Sequence, residues 1–288
     1  MRAGVIACCL GLALGIAACV GRASAVREIS GVRMVQRSHA HYAGRSHSTT
    51  EIIAIRSSLA ACEALLEEQP RRVPTLAIVG ASFTAGIGPD NPQLSWAVLL
   101  ARRLRWNAVI YGVPGAGYIN PGADGEGPVA RLLGKEQLHG LAPTVVIVQA
   151  GHDDIGQSAL REKRRVRAAV DLIRAAAPGA RIALITTFAG ALTSASPALH
   201  TIDRAIVTAG RSADSRIIIM DPLTGRWKFA RKDGGLHPTA AGDAWIARKV
   251  ESILLDHGLR PASVDVTVPV ICDVAIDVTK PTSADQDA

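Results

Sequence analysis

Short apolar runs alternate with amphipathic segments along the middle of this chain. Five runs predict buried strands at residues 74–80, 107–111, 144–150, 181–187 and 216–220. Segments 94–104, 159–177, 197–209 and 239–255 have the three- and four-residue spacing typical of helices. Strands that are apolar throughout and separated by helices are typical of a parallel sheet covered on both faces. The pattern therefore predicts an α/β protein, a three-layer α/β/α sandwich around a five-stranded parallel sheet.

The segments that flank this alternation are less regular. Apolar side chains recur at helical spacing from Ile52 to Leu66, which predicts a helix over residues 51–68. Residues 264–278 alternate weakly and predict an additional strand at an edge of the sheet. We therefore expect a polar linker at residues 26–48, the α/β domain at 49–260 and a C-terminal tail at 261–288.

Residues 1–25 predict a targeting segment. Arg2 is followed by an uncharged apolar run from Val5 to Val20, as in a signal sequence. Cleavage after Ala25 and lipidation of Cys19 are two ways of processing it. An uncleaved anchor is the third, although the run is shorter than the ~20 apolar residues of a spanning helix. The expectation is export to a secreted or cell-envelope location, with membrane association through this segment left open.

The composition fits one domain with one hydrophobic core. Of 288 residues, 48% are hydrophobic and only 3% aromatic, so aliphatic side chains must fill most of the interior. The net charge of +7 is compatible with nucleic acid, with an anionic surface or with no specific partner. However, the densest basic run, residues 161–167, lies in a predicted helix without a nucleic-acid motif. A solvated helix face is the favoured interpretation, and no nucleic-acid partner is expected.

Cysteines and histidines outside the targeting segment suggest two further hypotheses. Cys62 and Cys272 can form a disulfide in an oxidising compartment, and two unpaired thiols are the alternative. His39, His41 and His47 suggest a metal site, but no cysteine or carboxylate cluster accompanies them. An incidental role is favoured, and no metal ion is expected.

Ligands of parallel α/β folds bind beyond the carboxyl ends of the strands, so the chemistry is sought in the loops there. Ser82 directly follows the first predicted strand, where its hydroxyl and backbone would be accessible; capping of a helix is the alternative. His237 shares the loop DGGLHP with Asp233. A histidine oriented by a carboxylate can take the proton of a serine hydroxyl. A surface histidine beside a turn is the alternative.

Two other strand-end loops carry Gly115 in VPGAGY and Asp153 in GHDD. Glycine allows a backbone amide to approach a substrate closely. Nucleotide binding is disfavoured because no Gly-Lys-Ser/Thr sequence follows Gly80, and the glycines around Gly115 lack the dinucleotide-binding order.

The blocks GAS, GVPGAG, GHDD and DGGLHP follow one another in the order of the SGNH hydrolases, also called the GDSL-like esterase/lipase family, which this sequence resembles. By this resemblance Ser82 would be the nucleophile, His237 the general base and Asp233 its orienting carboxylate. The amides of Ser82 and Gly115, with the side chain of Asp153, would form the oxyanion hole. The family implies a flavodoxin-like sheet and requires no cofactor.

The resemblance covers residues 74–257 and includes three departures. Ala81 replaces a family Asp that does not take part in the chemistry. Gly235 lengthens the spacing from Asp233 to His237 by one residue. Asp153 replaces an Asn, and a carboxyl group donates a hydrogen bond to an oxyanion only when it is protonated. Burial at position 153 would raise the pKa and favour that protonated form.

The resemblance implies an exported esterase or lipase that hydrolyses acyl esters of lipids, polysaccharides or small alcohols. An acyltransferase of the same fold is one alternative, and a catalytically degenerate ligand-binding protein is another. The sequence determines neither the acyl chain length, nor the alcohol partner, nor the oligomeric state.

Overall fold

The computed structural model of the chain describes residues 33–34, 53–56, 64–66, 73–122, 129–135, 138–190, 196–232, 235–263 and 269–275. All of them belong to the compact unit Gly31–Ala288. The predicted targeting segment, Cys62 and Asp233 lie outside the described residues. No helix built from the described residues has both the length and the apolar character needed to cross a membrane.

Eight strands of the described part of the chain form one sheet. They are β1 (Arg33–Met34), β2 (Ile53–Arg56), β3 (Thr75–Gly80), β4 (Asn107–Gly112), β5 (Val145–Gln149), β6 (Arg181–Ile185), β7 (Ile218–Met220) and β8 (Val270–Ala275). Their spatial order is β1-β2-β8-β4-β3-β5-β6-β7. Every neighbouring pair is parallel except β1 and β2.

The five strands predicted from the sequence are β3 to β7, and their order corresponds to the 2-1-3-4-5 arrangement of flavodoxin-like folds. The predicted fold class is confirmed. In the register of the sheet, Gly80 at the end of β3 lies between Gly112 of β4 and Gln149 of β5. The loops after these three strands therefore start side by side at one edge of the sheet. Strands β4 and β5 lie on opposite sides of β3, so the chain changes direction across the sheet at this point.

Helices cover both faces of the sheet. They are α1 (Trp96–Leu104), α2 (Val129–Lys135), α3 (Leu138–Leu141), α4 (Ala159–Ala176), α5 (Pro197–Ala213) and α6 (Ala240–Asp256). Helices α1 and α6 pack Leu100 and Ile246 against Ile78 on one face. Helices α2, α4 and α5 pack against Val79 and Val148 on the other. These are the two outer layers of the predicted sandwich, although the sequence pattern did not indicate α2 or α3.

Hydroxyl side chains begin the long helices. Ser95, Ser158, Ser196 and Thr239 precede α1, α4, α5 and α6, and each accepts a hydrogen bond from an amide of the first turn. Such caps satisfy donors that would otherwise lack a partner. The four long helices consequently start within about two residues of their predicted positions, inside the usual uncertainty of helix ends.

The predicted helix over residues 51–68 is wrong in its first part. Residues 53–56 form strand β2, which pairs with β8, and helical structure is described at residues 64–66. The segment IAIR contains two β-branched isoleucines, whose side chains are restricted in a helix and fit a pleated surface. Pairing with a strand about 200 residues later in the chain therefore outweighs the helical spacing of the apolar side chains.

The tail strand is also placed differently from the prediction. Strand β8 lies between β2 and β4 rather than at an edge, and Val270, Ile271 and Cys272 are buried. The buried side-chain oxygen of Asn107 accepts a hydrogen bond of 2.9 Å from the Val270 amide. Since β8 continues the sheet to β2 and β1, the predicted total of five strands is corrected to eight among the described residues.

Cys272 is disulfide-bonded in this structure. It lies in the middle of β8 and is fully buried. Its predicted partner, Cys62, lies outside the described residues. Cys272 is therefore not a free thiol, and the Cys62–Cys272 pairing remains a prediction.

We expect Asn107→Ala to lower the free energy of unfolding by about 1–3 kcal/mol, because the buried Val270 amide loses its acceptor. Urea denaturation measures this change. The matched control Thr201→Ala removes a side-chain-to-backbone bond on the exposed surface of α5 and should change stability by less than about 0.5 kcal/mol. Equal losses in the two variants would contradict the role given to Asn107.

Candidate active site

Ser82 lies in a tight turn directly after β3, and only 8% of its surface is exposed. The turn packs closely on the neighbouring strand, since a Cβ at Gly80 would lie 2.8 Å from the Gln149 carbonyl oxygen. The Gln149 side chain accepts hydrogen bonds from the Ala81 amide at 3.2 Å and from the Thr84 hydroxyl at 3.0 Å. One buried polar side chain of β5 therefore fixes the turn on both sides of Ser82.

The hydroxyl of Ser82 meets the imidazole of His237. The Oγ of Ser82 and the Nε2 of His237 are 2.9 Å apart, although 155 positions separate the two residues in the chain. His237 precedes the start of α6, and Ser82 follows β3, so the approach requires the sheet and the helix to be packed together. The helix-cap alternative for Ser82 does not apply, because residues 82–86 form a turn.

The loop that carries His237 is held from two directions. The Lys232 amide donates to the His237 carbonyl at 3.0 Å, and Arg231 pairs with Pro238 in a short bridge. On the other side, Gly88 has a φ of +134°, and a Cβ there would lie 2.2 Å from the carbonyl oxygen of Pro238. Only glycine fits this approach, so the loop after Ser82 packs directly against the backbone of the histidine loop.

A cluster of phenylalanines stands behind the serine–histidine pair. Phe83 stacks on Phe188 with ring centroids 4.2 Å apart, and its centroid is 5.6 Å from that of His237. Phe229 meets both phenyl rings edge to face. The chain has three phenylalanines in total, so all of them are in this cluster. Stacked and edge-on aromatic rings are rigid packing partners, and they restrict the positions that the imidazole can adopt.

The surroundings keep His237 in the form of a base. Burial lowers the pKa of His237, and the positive charge of a protonated His152 lowers it further. A lowered pKa favours the neutral imidazole, whose unprotonated nitrogen can accept the proton of a hydroxyl. His152 is itself fixed, because its Nδ1 donates a hydrogen bond of 2.8 Å to the Phe188 carbonyl.

Two backbone amides at this edge of the sheet are available to a ligand. Among the described residues, the N–H groups of Ser82 and Gly115 have no hydrogen-bond acceptor. Gly115 has a φ of +75°, a conformation that glycine adopts without strain. Its loop is attached to the serine strand by the Val113 amide, which donates to the Gly80 carbonyl at 2.8 Å. Unpaired amides beside a nucleophile are the donors that an oxyanion hole requires.

Asp153 lies in the loop after β5, on the other side of β3, and is half-buried. Burial raises the pKa of the Asp153 carboxyl, as does the charge of Asp154, while a protonated His152 and a hydrogen bond from its own amide act in the opposite direction. The Asn120 side chain donates to the Asp153 carbonyl at 3.3 Å and joins this loop to the loop of Gly115. The net shift favours the protonated carboxyl that can donate a hydrogen bond.

Asp233 lies outside the described residues, so the structure does not place the third member of the predicted triad. Among the described residues, no group of three or more His, Cys, Asp or Glu side chains is arranged to hold a metal ion.

Three contributors to the site were missed by the sequence analysis: Gln149, His152 and Asp154. Gln149 had a detectable signal, because it is the one polar residue in the apolar run 145–150. His152 and Asp154 flank the predicted Asp153. Nothing in the sequence pattern distinguished these two residues from polar residues at the surface.

A close serine–histidine pair with free amide donors, on a flavodoxin-like sheet, defines the class of α/β enzymes that hydrolyse or transfer acyl esters. Residues 78–245 match the model of the GDSL-like Lipase/Acylhydrolase family, which is more than half of the chain. The chain belongs to this family. No match was found among the curated proteins.

Solved structures with a similar fold include enzymes that act on esters. A family two carbohydrate esterase from Clostridium thermocellum in complex with cellohexaose has 19% identity and a TM-score of 0.53, and the match covers 66% of each chain. A family two carbohydrate esterase from Cellvibrio japonicus has 17% identity and a TM-score of 0.54, over 65% of this chain and 62% of that one.

A third similar structure is the salicylyl-acyltransferase SsfX3 from a tetracycline biosynthetic pathway. It has 17% identity and a TM-score of 0.53, and the match covers 66% of this chain and 56% of that one. The match thus covers less than two thirds of each of these proteins. At identities of 17–19%, the similarity shows a shared fold and nothing further.

We expect NMR titration of the imidazole nitrogens to place the midpoint of His237 below its ordinary value of 6.5. His152→Gln should raise that midpoint, because a positive charge near His237 is removed. His257→Gln, at the opposite end of α6, is the control and should leave it unchanged. A His237 midpoint that does not respond to His152→Gln would contradict the electrostatic coupling.

Proposed function

We propose that this protein is an exported serine esterase that hydrolyses acyl esters through an acyl-enzyme intermediate. The observation that carries the proposal is the 2.9 Å contact between the Ser82 hydroxyl and the His237 imidazole. The amides of Ser82 and Gly115, for which no acceptor is found in the described part of the chain, support it. Export rests on the signal-like sequence of residues 1–25.

In the acylation step, Nε2 of His237 takes the proton of Ser82 as Oγ bonds to the ester carbonyl carbon. The carbonyl oxygen becomes an oxyanion, which accepts hydrogen bonds from the amides of Ser82 and Gly115. When the tetrahedral intermediate collapses, the bond to the alcohol breaks and His237 returns the proton to the leaving oxygen. Asp233 is assigned to Nδ1 of His237, where a carboxylate would orient the ring and stabilise the imidazolium.

In the second step, His237 takes a proton from water as the water oxygen attacks the acyl-enzyme. Breaking the acyl bond to Ser82 releases the carboxylic acid, and Ser82 recovers its proton from His237. An acyltransferase would replace water by the hydroxyl of an acceptor. The similarity to the salicylyl-acyltransferase fold makes this the second candidate, and the ratio of transferred to hydrolysed acyl groups in the presence of an acceptor distinguishes the two.

We expect a fluorophosphonate probe to label the wild-type protein covalently and to label neither Ser82→Ala nor His237→Ala. Ser158→Ala, which removes only the hydroxyl that caps α4, is the matched serine control and should label normally. A folded wild-type protein that resists labelling would instead favour the catalytically degenerate ligand-binding protein. Labelling that persists in Ser82→Ala would identify another nucleophile.

The substrate class is tested with p-nitrophenyl esters of increasing chain length and with acetylated oligosaccharides. The carbohydrate esterases among the similar structures support including the oligosaccharides. Preference for acetyl groups would indicate a deacetylase, and preference for long chains would indicate a lipase.

Because the pKa of His237 is lowered, we expect kcat/KM to rise with pH through a midpoint below the ordinary value for histidine.

Asp153→Asn should raise kcat by up to about 100-fold, because an amide is a permanent donor to the oxyanion. Since the pKa of Asp153 is raised by burial, the protonated carboxyl serves this role at low pH, and the advantage of Asn should grow as pH increases. Asp171→Asn on the exposed face of α4 is the control and should leave kcat unchanged. If Asp153→Asn abolishes turnover in a folded protein, the assignment of position 153 is wrong.

A further inference from the structure

Two acidic side chains lie buried together beneath the loop that carries Gly115. Asp154 follows Asp153 in the loop after β5, and Glu162 lies in the first turn of α4. Both are fully buried, with 0% of their surface exposed. The chemistry proposed above uses neither group. Charged carboxylates are seldom buried without a partner, so their presence in this position requires an explanation.

Asp154 holds the backbone of the Gly115 loop. Its carboxylate accepts hydrogen bonds from the amides of Tyr118 at 2.6 Å, Ile119 at 3.2 Å and Asn120 at 2.8 Å. The backbone also rests against it, since a Cβ at Gly117 would lie 2.3 Å from both carboxylate oxygens. Three amide donors to one carboxylate favour its charged form, and they fix the loop segment immediately after Gly115.

Glu162 supplies the proton for this pair of carboxyl groups. Burial, the charge of Asp154 and a hydrogen bond to Asp154 together raise the pKa of Glu162 to about 9. Burial raises the pKa of Asp154 as well, but hydrogen bonds from three backbone amides act in the opposite direction, whereas every contribution to the pKa of Glu162 raises it. Glu162 is therefore the group that holds the proton. In the described part of the chain, neither oxygen of Glu162 accepts a hydrogen bond.

We propose that protonated Glu162, by donating a hydrogen bond to Asp154, fixes the loop that presents the Gly115 amide to the oxyanion. This inference rests on the proposed function. Glu162 is therefore a positioning residue for acyl transfer: it touches neither the substrate nor Ser82, and it acts through Asp154 and the backbone of residues 117–120.

Among the described residues, the groups that face Glu162 are acidic or neutral. Asp154 is the charged neighbour, and the buried phenol of Tyr118, whose pKa is raised well above 10 by burial and by these carboxyls, stays protonated. Among described side chains of α2, α3 and α5, which pack around α4, none offsets this negative charge. Ionisation of Glu162 would therefore place two negatively charged carboxylates next to each other. Their electrostatic repulsion would disturb the loop that Asp154 holds.

The experiment compares kcat for a p-nitrophenyl ester from pH 7 to 10 in wild type, Glu162→Gln and Glu162→Leu. We expect wild-type kcat to fall above pH 9, by about tenfold per pH unit for a single ionisation. Glu162→Gln keeps a donor to Asp154 that does not ionise, so its kcat should stay within about threefold of wild type at pH 7 and show no alkaline fall. Glu162→Leu leaves Asp154 without this donor and should lower kcat at least about tenfold throughout, with little change in KM.

Glu251→Gln removes a carboxylate that pairs with Arg103 at the surface and should reproduce the wild-type profile. Identical alkaline profiles in wild type and Glu162→Gln would overturn the inference, as would a Gln variant as impaired as the Leu variant. Fluorophosphonate labelling separates these outcomes from failure of the proposed function. An unlabelled wild type overturns the function, whereas a labelled wild type with unchanged profiles overturns only the role of Glu162.

Unfolding measured against pH gives a readout that does not depend on turnover. The folded pKa of Glu162 is about 9 and its ordinary value is 4.5, so the folded state retains a proton that the unfolded chain has released between these values. Wild-type stability relative to Glu162→Gln should therefore fall as pH rises from about 4.5 to about 9 and then level off. A constant difference over that range would show that Glu162 is already ionised in the folded protein and would overturn the proposal.

Discussion

The hydrogen bond between Ser82 and His237 is the contact on which the site depends, and it joins residues 155 positions apart. No local preference of the chain can create it. It forms because strand β3 delivers the serine and the start of α6 delivers the histidine to the same edge of one sheet. The Phe83–Phe188 stack and the close approach of Gly88 to Pro238 hold the two loops in that position.

Two buried polar side chains at this edge of the sheet, Gln149 and Asp154, bind the backbone of loops rather than a substrate. Gln149 fixes the turn around Ser82, and Asp154 fixes the loop after Gly115. A buried polar group costs free energy unless its hydrogen bonds are made. Here the hydrogen bonds are made to the backbone of the two loops that carry Ser82 and Gly115. Among the residues that the structure describes, this arrangement leaves the Ser82 and Gly115 amides without an acceptor, as the proposed oxyanion hole requires.

The apolar pattern predicted β3 to β7 and the four long helices with small errors at their ends, because buried strands and capped helices leave strong local signals. It predicted a helix where residues 53–56 form a strand, and it placed the tail strand, residues 270–275, at an edge rather than inside the sheet. Those two strands exist through pairing with each other and with β4. Partner choice over such a separation is not encoded in periodicity, so one segment was assigned to a helix and the other to an edge.

The sequence by itself determined the class of fold, the family likeness and the identity of the principal candidates, because strand ends followed by Ser82, Gly115, Asp153 and His237 are local features. Tertiary structure decided which of these groups contact one another and in which direction their pKa values shift. The lowered pKa of His237 and the raised pKa of Glu162 arise from burial and from charges on other segments. Desolvation and Coulomb interactions depend on distance in space, and folding alone sets those distances.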